Sequence, residues 1–174
     1  RSVPQDMFKG RNELINQLTD HYRSDDRVET WILYGLTRHG KTSIHEYLAT
    51  NLLKSNAITT RKYGKLKILP FKWEFGDAAN CDDARELWYY LIKEQIIEKI
   101  GEYIDEGVLP NNILDVPLYK KYINKNDRSF RSVDLRKILN FLIDHKFFAF
   151  IAIDEFTYYT EMIEQGIINT AFLA

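Results

Sequence analysis

Cysteine is almost absent. Cys81 stands alone in 174 residues, so neither an intramolecular disulfide nor a thiolate metal cluster can be built, which suits a reducing compartment. Long apolar runs are missing too: no stretch approaches the roughly 20 residues of a membrane span. The N-terminal RSVPQDMFKG also lacks the apolar centre of a secretory leader. The expectation is a cytoplasmic chain with no membrane partner. Neither sign of charge dominates, because 24 basic against 25 acidic residues leave a net charge of -1. No global field therefore draws the chain to nucleic acid, and any such contact must be local. No internal repeat, low-complexity tract or interdomain linker is found. The first residue is Arg1 rather than Met, so a natural N-terminus further upstream is expected.

What is present suits a globular domain. Hydrophobic residues make up 45%, aromatic residues 14% and charged residues 28%. A domain of this size buries about 70% of the surface its unfolded chain exposes, enough for a sizeable core. Residues 13–22 carry Leu14, Ile15 and Leu18 at helical spacing and break at Asp20, Ser24, Asp25 and Asp26. Thr30-Trp31-Ile32-Leu33-Tyr34 is a β-branched and aromatic run that stops at Gly35 and reads as a buried strand. From Lys41 onward Ile44, Tyr47, Leu48 and Leu52 restore helical spacing.

Residues 66–75 (LKILPFKWEF) are strand-like, Pro70 points to a sheet edge, and local pairing with 58–63 through Gly64 is available. After a cap at Asp82 or Asp83, the residues Leu87, Tyr90, Leu91, Ile97, Ile100 and Ile104 mark one long amphipathic helix. Residues 106–131 read as irregular, with Pro110, Asn111, Asn112 and Pro117. Ser132 is expected to cap a helix whose inner face is Leu135, Leu139, Leu142 and Ile143, leading into a buried strand at 147–153, FFAFIAI.

Between the strand at 30–34 and the helix from Lys41 lies Gly35-Leu36-Thr37-Arg38-His39-Gly40-Lys41-Thr42, a complete G-x-x-x-x-G-K-[ST] phosphate loop in its confirming context. The two glycines let successive N–H groups converge on phosphate oxygens, and the helix start adds its positive end. Lys41 is a mobile charge between the β- and γ-phosphates, and the Thr42 hydroxyl is placed to ligate magnesium. Residues 35 to 42 and Ser43 are the candidate nucleotide-binding positions; Arg38 and His39 fill variable positions and carry no catalytic assignment. Residue frequencies produce such a match on the order of once in two hundred chains this long, and the flanking strand and helix lower that further.

The strand at 147–153 runs into Asp154-Glu155, and a strand covered on both faces has room for two carboxylates only past its carboxyl end, where open α/β sheets hold ligands. Asp154 would hold magnesium through a water opposite Thr42, and Glu155 would act as general base on the water attacking the γ-phosphate. Taken alone, Asp154 reads as the cap of a helix beginning near Thr157; paired with the loop, it reads as the metal ligand.

Three segments together, Phe8-Lys9-Gly10-Arg11-Asn12-Glu13-Leu14, GLTRHGKTS and IAIDEF, resemble the AAA+-like signal-transduction ATPases called STAND proteins and their origin-recognition relatives. The resemblance runs from Phe8 to the end. It implies a three-layer α/β P-loop NTPase fold with a central, mostly parallel sheet, ATP and Mg2+ as ligands, and Phe8, Gly10 and Arg11 near the adenine base. It also implies hydrolysis, with Asp154 and Glu155 in the roles just derived. No sensor strand, arginine finger or sensor arginine is found, and 106–131 has no counterpart in the family pattern.

The expected function is an ATPase switch module of a signalling or defence protein, with further domains of the same polypeptide or self-association as partners. Two alternatives stand beside it. One is a loader-type ATPase on DNA, supported by Arg61, Lys62, Lys65, Lys67 and Lys72 interleaved with Tyr63, Phe71 and Trp73. The other is a small-molecule kinase, which the Glu after the strand Asp disfavours. The family sheet order puts a fourth strand between the loop strand and the Asp-Glu strand, after a helix at 158–172. The chain is therefore expected to be the N-terminal part of a single nucleotide-binding core that continues past residue 174, unless those two strands pair directly.

Overall fold

The computed structural model describes residues 13, 44, 47, 58–60, 63–76, 81–125 and 129–169. Among them the chain is mixed α/β. Strand β1 (Ile58–Thr60) turns back into β2 (Gly64–Glu74) as an antiparallel hairpin, with Ile58 opposite Leu66, Thr59 opposite Lys65 and Thr60 opposite Gly64. This is the local pairing expected through Gly64, whose φ of 72° falls where only glycine escapes a steric penalty. Strand β3 (Phe147–Asp154) lies on the other side of β2, giving the order β1-β2-β3.

The β2–β3 pair is parallel. The Lys67 N–H donates to the Lys146 carbonyl at 2.9 Å, and eight residues later on both strands the Phe75 N–H donates to the Asp154 carbonyl at 3.4 Å. That register sets residues 67–74 alongside 147–154. Ile68, Leu69, Pro70 and Phe71 are all buried, so the middle of β2 is covered on both faces.

Pro70 does not make β2 an edge strand throughout, as its sequence suggests: β2 is the middle strand of three at its start. The N–H groups of Lys67 and Phe75 face β3, and by two-residue alternation so do those of the odd positions between them. Position 70 faces the other way, and it lies past Leu66, the last β2 residue with a β1 partner. A missing N–H there interrupts no bond to β3.

The chain divides into two compact units, Arg1–Pro70 with Leu142–Phe150 and Phe71–Phe141 with Ile151–Ala174. In the first, the described core comprises Ile44, Leu66, Ile68, Leu69, Leu142, Phe147 and Phe150. Ile44 and Tyr47 are helical and Ile44 is buried, in keeping with the amphipathic helix expected from Lys41; Glu13 is helical and exposed. The rest of those two segments and the strand expected at 30–34 lie outside the described residues.

The second unit is built on one continuous helical rod. Asp83 caps it, its carboxylate accepting from the Arg85 and Glu86 N–H groups at 2.7 and 2.9 Å, while Glu86 reaches back to the Asp82 N–H. Helix α1 (Ala84–Tyr89) passes into a π-helical segment (Tyr90–Ile97) and then into α2 (Glu98–Asp105). The expected long helix is thus present but wound more widely in its middle. The π-helical segment buries Leu91, Ile92, Ile96 and Ile97, apolar pairs at the five-residue interval of its hydrogen bonds. Gly107, at φ 71°, ends the rod, with the Val108 N–H on the Tyr103 carbonyl and the Gly107 N–H on the Ile104 carbonyl.

Residues 106–131 are not irregular, contrary to the sequence reading. They contain a 3-10 helix (Asn111–Asp115) and α3 (Pro117–Ile123). Pro117 opens α3, in the first turn, where a missing N–H leaves nothing unpaired. The buried Lys93 ammonium bonds the Ile123 carbonyl at the end of α3, where a cation suits the helix dipole. Phe130 packs on Tyr122 and Tyr89 with ring centroids 5.9 and 5.8 Å away.

Helix α4 (Ser132–Asp144) begins differently from expectation. The Leu135 N–H bonds the Arg131 carbonyl, so Arg131 and not Ser132 stands at the cap position. The cap comes from inside the helix: the Asp134 carboxylate accepts the Arg131 N–H at 3.0 Å and the Tyr122 hydroxyl at 2.8 Å, with Lys125 Nζ 3.8 Å away. The buried face is accordingly Asp134, Ile138, Phe141 and Leu142, with Leu135, Leu139 and Ile143 half-buried. Helix α5 (Phe156–Glu164) stops well short of residue 172. Gly166 at φ 73°, with the Ile167 N–H on the Met162 carbonyl, terminates it.

Burial, the largest cause in each case, pushes the hydroxyls of Tyr103, Tyr119 and Tyr122 above the ordinary tyrosine pKa. Glu106 and Glu102 add to it at Tyr103, Asp105 at Tyr119, and the Asp134 hydrogen bond and charge at Tyr122. Below about pH 10 native and unfolded chains both keep these protons; above it the unfolded chain releases protons that the native state retains, so stability falls as pH rises. The midpoint of urea unfolding should therefore drop between about pH 9.5 and pH 11, less so in Tyr122→Phe. A flat midpoint across that range would contradict the burial of these hydroxyls.

Candidate functional site at the carboxyl ends of the parallel strands

At the end of β3 the chain must turn from a strand into α5 within one residue. Glu155 makes that turn in the left-handed region, φ 55° and ψ 40°, a conformation that strains a non-glycine residue by about 1 kcal/mol or more. The Asp154 carboxylate steadies it by accepting the Glu155 N–H at 2.9 Å. Three aromatic rings hold the start of α5 in place: Phe75, fully buried, lies edge-on to Phe156 and Tyr159 at 6.5 and 5.6 Å, and those two stack at 4.9 Å.

The Glu155 side chain folds back over the end of β2. A Cβ on Gly76 would lie 1.6 Å from Glu155 Oε2, so the carboxylate occupies the space that any side chain at position 76 would need. The constraint on position 76 is one of room, set by the far end of a flexible side chain, and not of backbone angle.

The register also decides which charges meet. It sets Phe75 beside Glu155 and Glu74 beside Asp154, with Lys72 two residues back on the face that Glu74 and Asp154 share. Two neighbouring carboxylates repel unless a cation sits between them. Lys72 fills that position: its ammonium pairs with Glu74 and lies 3.5 Å from Asp154 Oδ2. Partial burial pulls the Lys72 pKa down, but the two carboxylates outweigh it and hold the pKa above the ordinary lysine value. The Asp154 side chain is 14% exposed and that of Lys72 34%, so Asp154 is the more enclosed member of the pair.

Of the residues singled out in the sequence, Asp154 and Glu155 are brought together at the end of β3. Phe8, Gly10, Arg11, Gly35, Leu36, Thr37, Arg38, His39, Gly40, Lys41, Thr42 and Ser43 lie outside the described residues. The N-cap of α5 is Glu155, without a side-chain cap hydrogen bond. The aromatic and basic stripe considered for nucleic acid is largely turned inward: Phe71 and Trp73 are 3% and 4% exposed, which denies them to a stacked base. Lys65 and Lys67 are exposed, and Arg61 and Lys62 are outside the described residues.

Sequence reasoning does not single out Glu74 or Gly76, and it places Lys72 only in the basic stripe. The signal that could find them is Lys72 and Glu74 at alternate positions of a strand whose Phe71, Trp73 and Phe75 are apolar.

Among the described residues no group of three or more His, Cys, Asp or Glu side chains could hold a metal ion by itself, and no helix is long and apolar enough to cross a membrane. An open cleft of about 490 Å3 lined by Asp82, Asp83, Arg85, Glu86 and Ser129 includes none of the predicted site residues, and its Asp83 and Glu86 are engaged in capping α1. Comparison of the chain with protein-family models, with curated proteins and with solved structures returns no match.

Gly76→Ala should displace the Glu155 carboxylate at little expense, because the group in the way is the free end of a flexible side chain. The expected loss of stability in urea unfolding is about 1 kcal/mol or less. A loss above about 3 kcal/mol would show that Glu155 is locked rigidly over Gly76.

Proposed function

We propose that this chain is an ATP-binding, Mg2+-dependent P-loop ATPase module that acts as a nucleotide switch in a STAND-type signalling or defence protein. The observation that carries the reading is the pairing of a complete phosphate loop, Gly35 to Thr42, with an acidic strand end, Asp154-Glu155, whose strand runs parallel to its neighbour. Sheets with parallel strands hold ligands beyond their carboxyl ends, which is where these carboxylates sit.

In this reading the loop backbone and the Lys41 ammonium bind and orient the phosphates. Glu155 accepts a proton from the attacking water, and its strained backbone is the kind of local cost that persists where geometry serves chemistry. Phe75, Phe156 and Tyr159 fix the start of α5 and with it the backbone that carries Glu155. The donor chemistry fits magnesium: Glu74 is engaged by Lys72, while Asp154 offers hard carboxylate oxygens. A Mg2+ shared with phosphates takes only one or two of these, so no cage of three acidic side chains is called for. When bound, the ion would neutralise phosphate charge and would be held by Thr42 and Asp154. Further domains of the same polypeptide, or a second copy, would read the nucleotide state.

Lys41→Ala should lower ATP affinity by about 10- to 100-fold in calorimetric titration while leaving the circular dichroism spectrum and the unfolding midpoint in place, since the charge is aimed at phosphate and not at the core. Unchanged affinity in a folded variant would end the assignment. Glu155→Gln should bind ATP as tightly or more tightly and lose phosphate release by about 100-fold or more, because an amide keeps the shape but takes no proton. Turnover at the parent rate would remove Glu155 as the base.

A further inference from the structure

Asp154, the residue assigned to Mg2+ above, already faces a cation of the same chain. Lys72 Nζ lies 3.5 Å from Asp154 Oδ2 and is bonded at the same time to Glu74, its neighbour on β2. Both acidic partners occupy one face of the sheet, side by side in the parallel register. An ammonium and a divalent cation held on one carboxylate repel each other even with a water between the ion and the carboxylate, so an arriving ion competes with Lys72 for Asp154. The side chain has somewhere to go. Glu74 keeps it paired whether or not Asp154 is available, and a lysine, as a flexible point charge with three rotatable donors, can change partners without the fixed fork that an arginine would carry.

We infer that Lys72 is an internal counter-cation that holds Asp154 when no metal is bound and passes wholly to Glu74 when Mg2+ enters with ATP. Lys72 is then a positioning residue acting through Asp154, and the Lys72–Glu74 pair sets the Mg2+ concentration at which nucleotide loads. Weakening the hold on Asp154 favours the ion, and weakening the hold of Glu74 disfavours it. The two partners therefore have opposite effects when altered, whereas an ion pair remote from the metal would show neither. The inference rests on the ATP and Mg2+ reading of the site.

The test is ATP binding by the 174-residue chain, titrated with Mg2+ at fixed ATP and repeated in EDTA, for the parent, Lys72→Met, Lys72→Arg and Glu74→Gln, with thermal melts to establish folding. Lys72→Met should lower the Mg2+ concentration for half-maximal binding by at least about threefold, and Glu74→Gln should raise it by a similar factor. Lys72→Arg keeps the charge on Asp154 in a less mobile fork and should therefore not lower that concentration. Metal-free ATP binding should be no tighter in Lys72→Met, since a positive charge near the phosphates has been removed. If the parent binds MgATP and both Lys72→Met and Glu74→Gln keep its Mg2+ midpoint, or both shift it the same way, the counter-cation role is wrong while the ATPase reading stands. If the folded parent binds no ATP with or without Mg2+, both fall together. Should one variant fail to fold, the other still decides the matter by the direction of its shift.

Discussion

The parallel register between β2 and β3 is the constraint on which the candidate site depends. Two backbone hydrogen bonds eight residues apart, from Lys67 and from Phe75, set which residues lie level at the carboxyl ends. Because side chains alternate faces, a slip of one residue would send Lys72 and Glu74 to the face opposite Asp154 and separate the charges that now meet. The same register explains why Pro70 is tolerated, since its missing N–H points away from β3. It also puts the side-chain-free Gly76 under the Glu155 carboxylate. A strand pair that reads in sequence as two apolar runs aligns, in three dimensions, one cation with two carboxylates.

The turn after β3 concentrates cost and support in the same few residues. A left-handed glutamate persists only if its surroundings over-determine it. Here the support comes from the Asp154 carboxylate on one side and the Phe75, Phe156 and Tyr159 rings on the other. Elsewhere in that unit a single buried acid does comparable work. Asp134 accepts from the Tyr122 hydroxyl and the Arg131 amide with Lys125 nearby, so a loop, a short helix and the start of α4 share one anion. Each partner satisfies a polar group that burial would otherwise penalise by about 1 to 3 kcal/mol.

The places where sequence and structure part company have local physical causes. Pro117 reads as a breaker when counted with Pro110 and two asparagines, yet at the first turn of a helix it is a start signal, and α3 follows from it. Ser132 is a good cap by residue type, but Asp134 reaches back to the Arg131 amide from the third helical position and moves the cap by one residue. The apolar spacing from Leu87 to Ile104 announces a helix correctly, while the π-helical winding of 90–97 is a local change of hydrogen-bond pattern that a 3.6-residue template passes over. Gly166 ends α5 because a Schellman closure competes successfully with six further residues of weak helical pattern.

Periodicity along the chain was enough to find the strands near 66–75 and 147–153, the long helix after Asp83 and the helix from Ser132, along with the motif spacing on which the nucleotide reading stands, but not the two helices inside 106–131 or the buried face of α4. The sequence also put Asp154 and Glu155 at the carboxyl end of that last strand, of which Asp154 is the final residue and Glu155 the turn that follows. Such features are local: they depend on periodicities of two or 3.6 residues and on chemistry within a few positions. That Lys72 and Glu74, some eighty positions from Asp154 along the chain, share its face, and that the Glu155 carboxylate lies over Gly76, is settled only in three dimensions. Pairing between distant strands is set by register and by the crossover between them, and neither is written in any short window of residues.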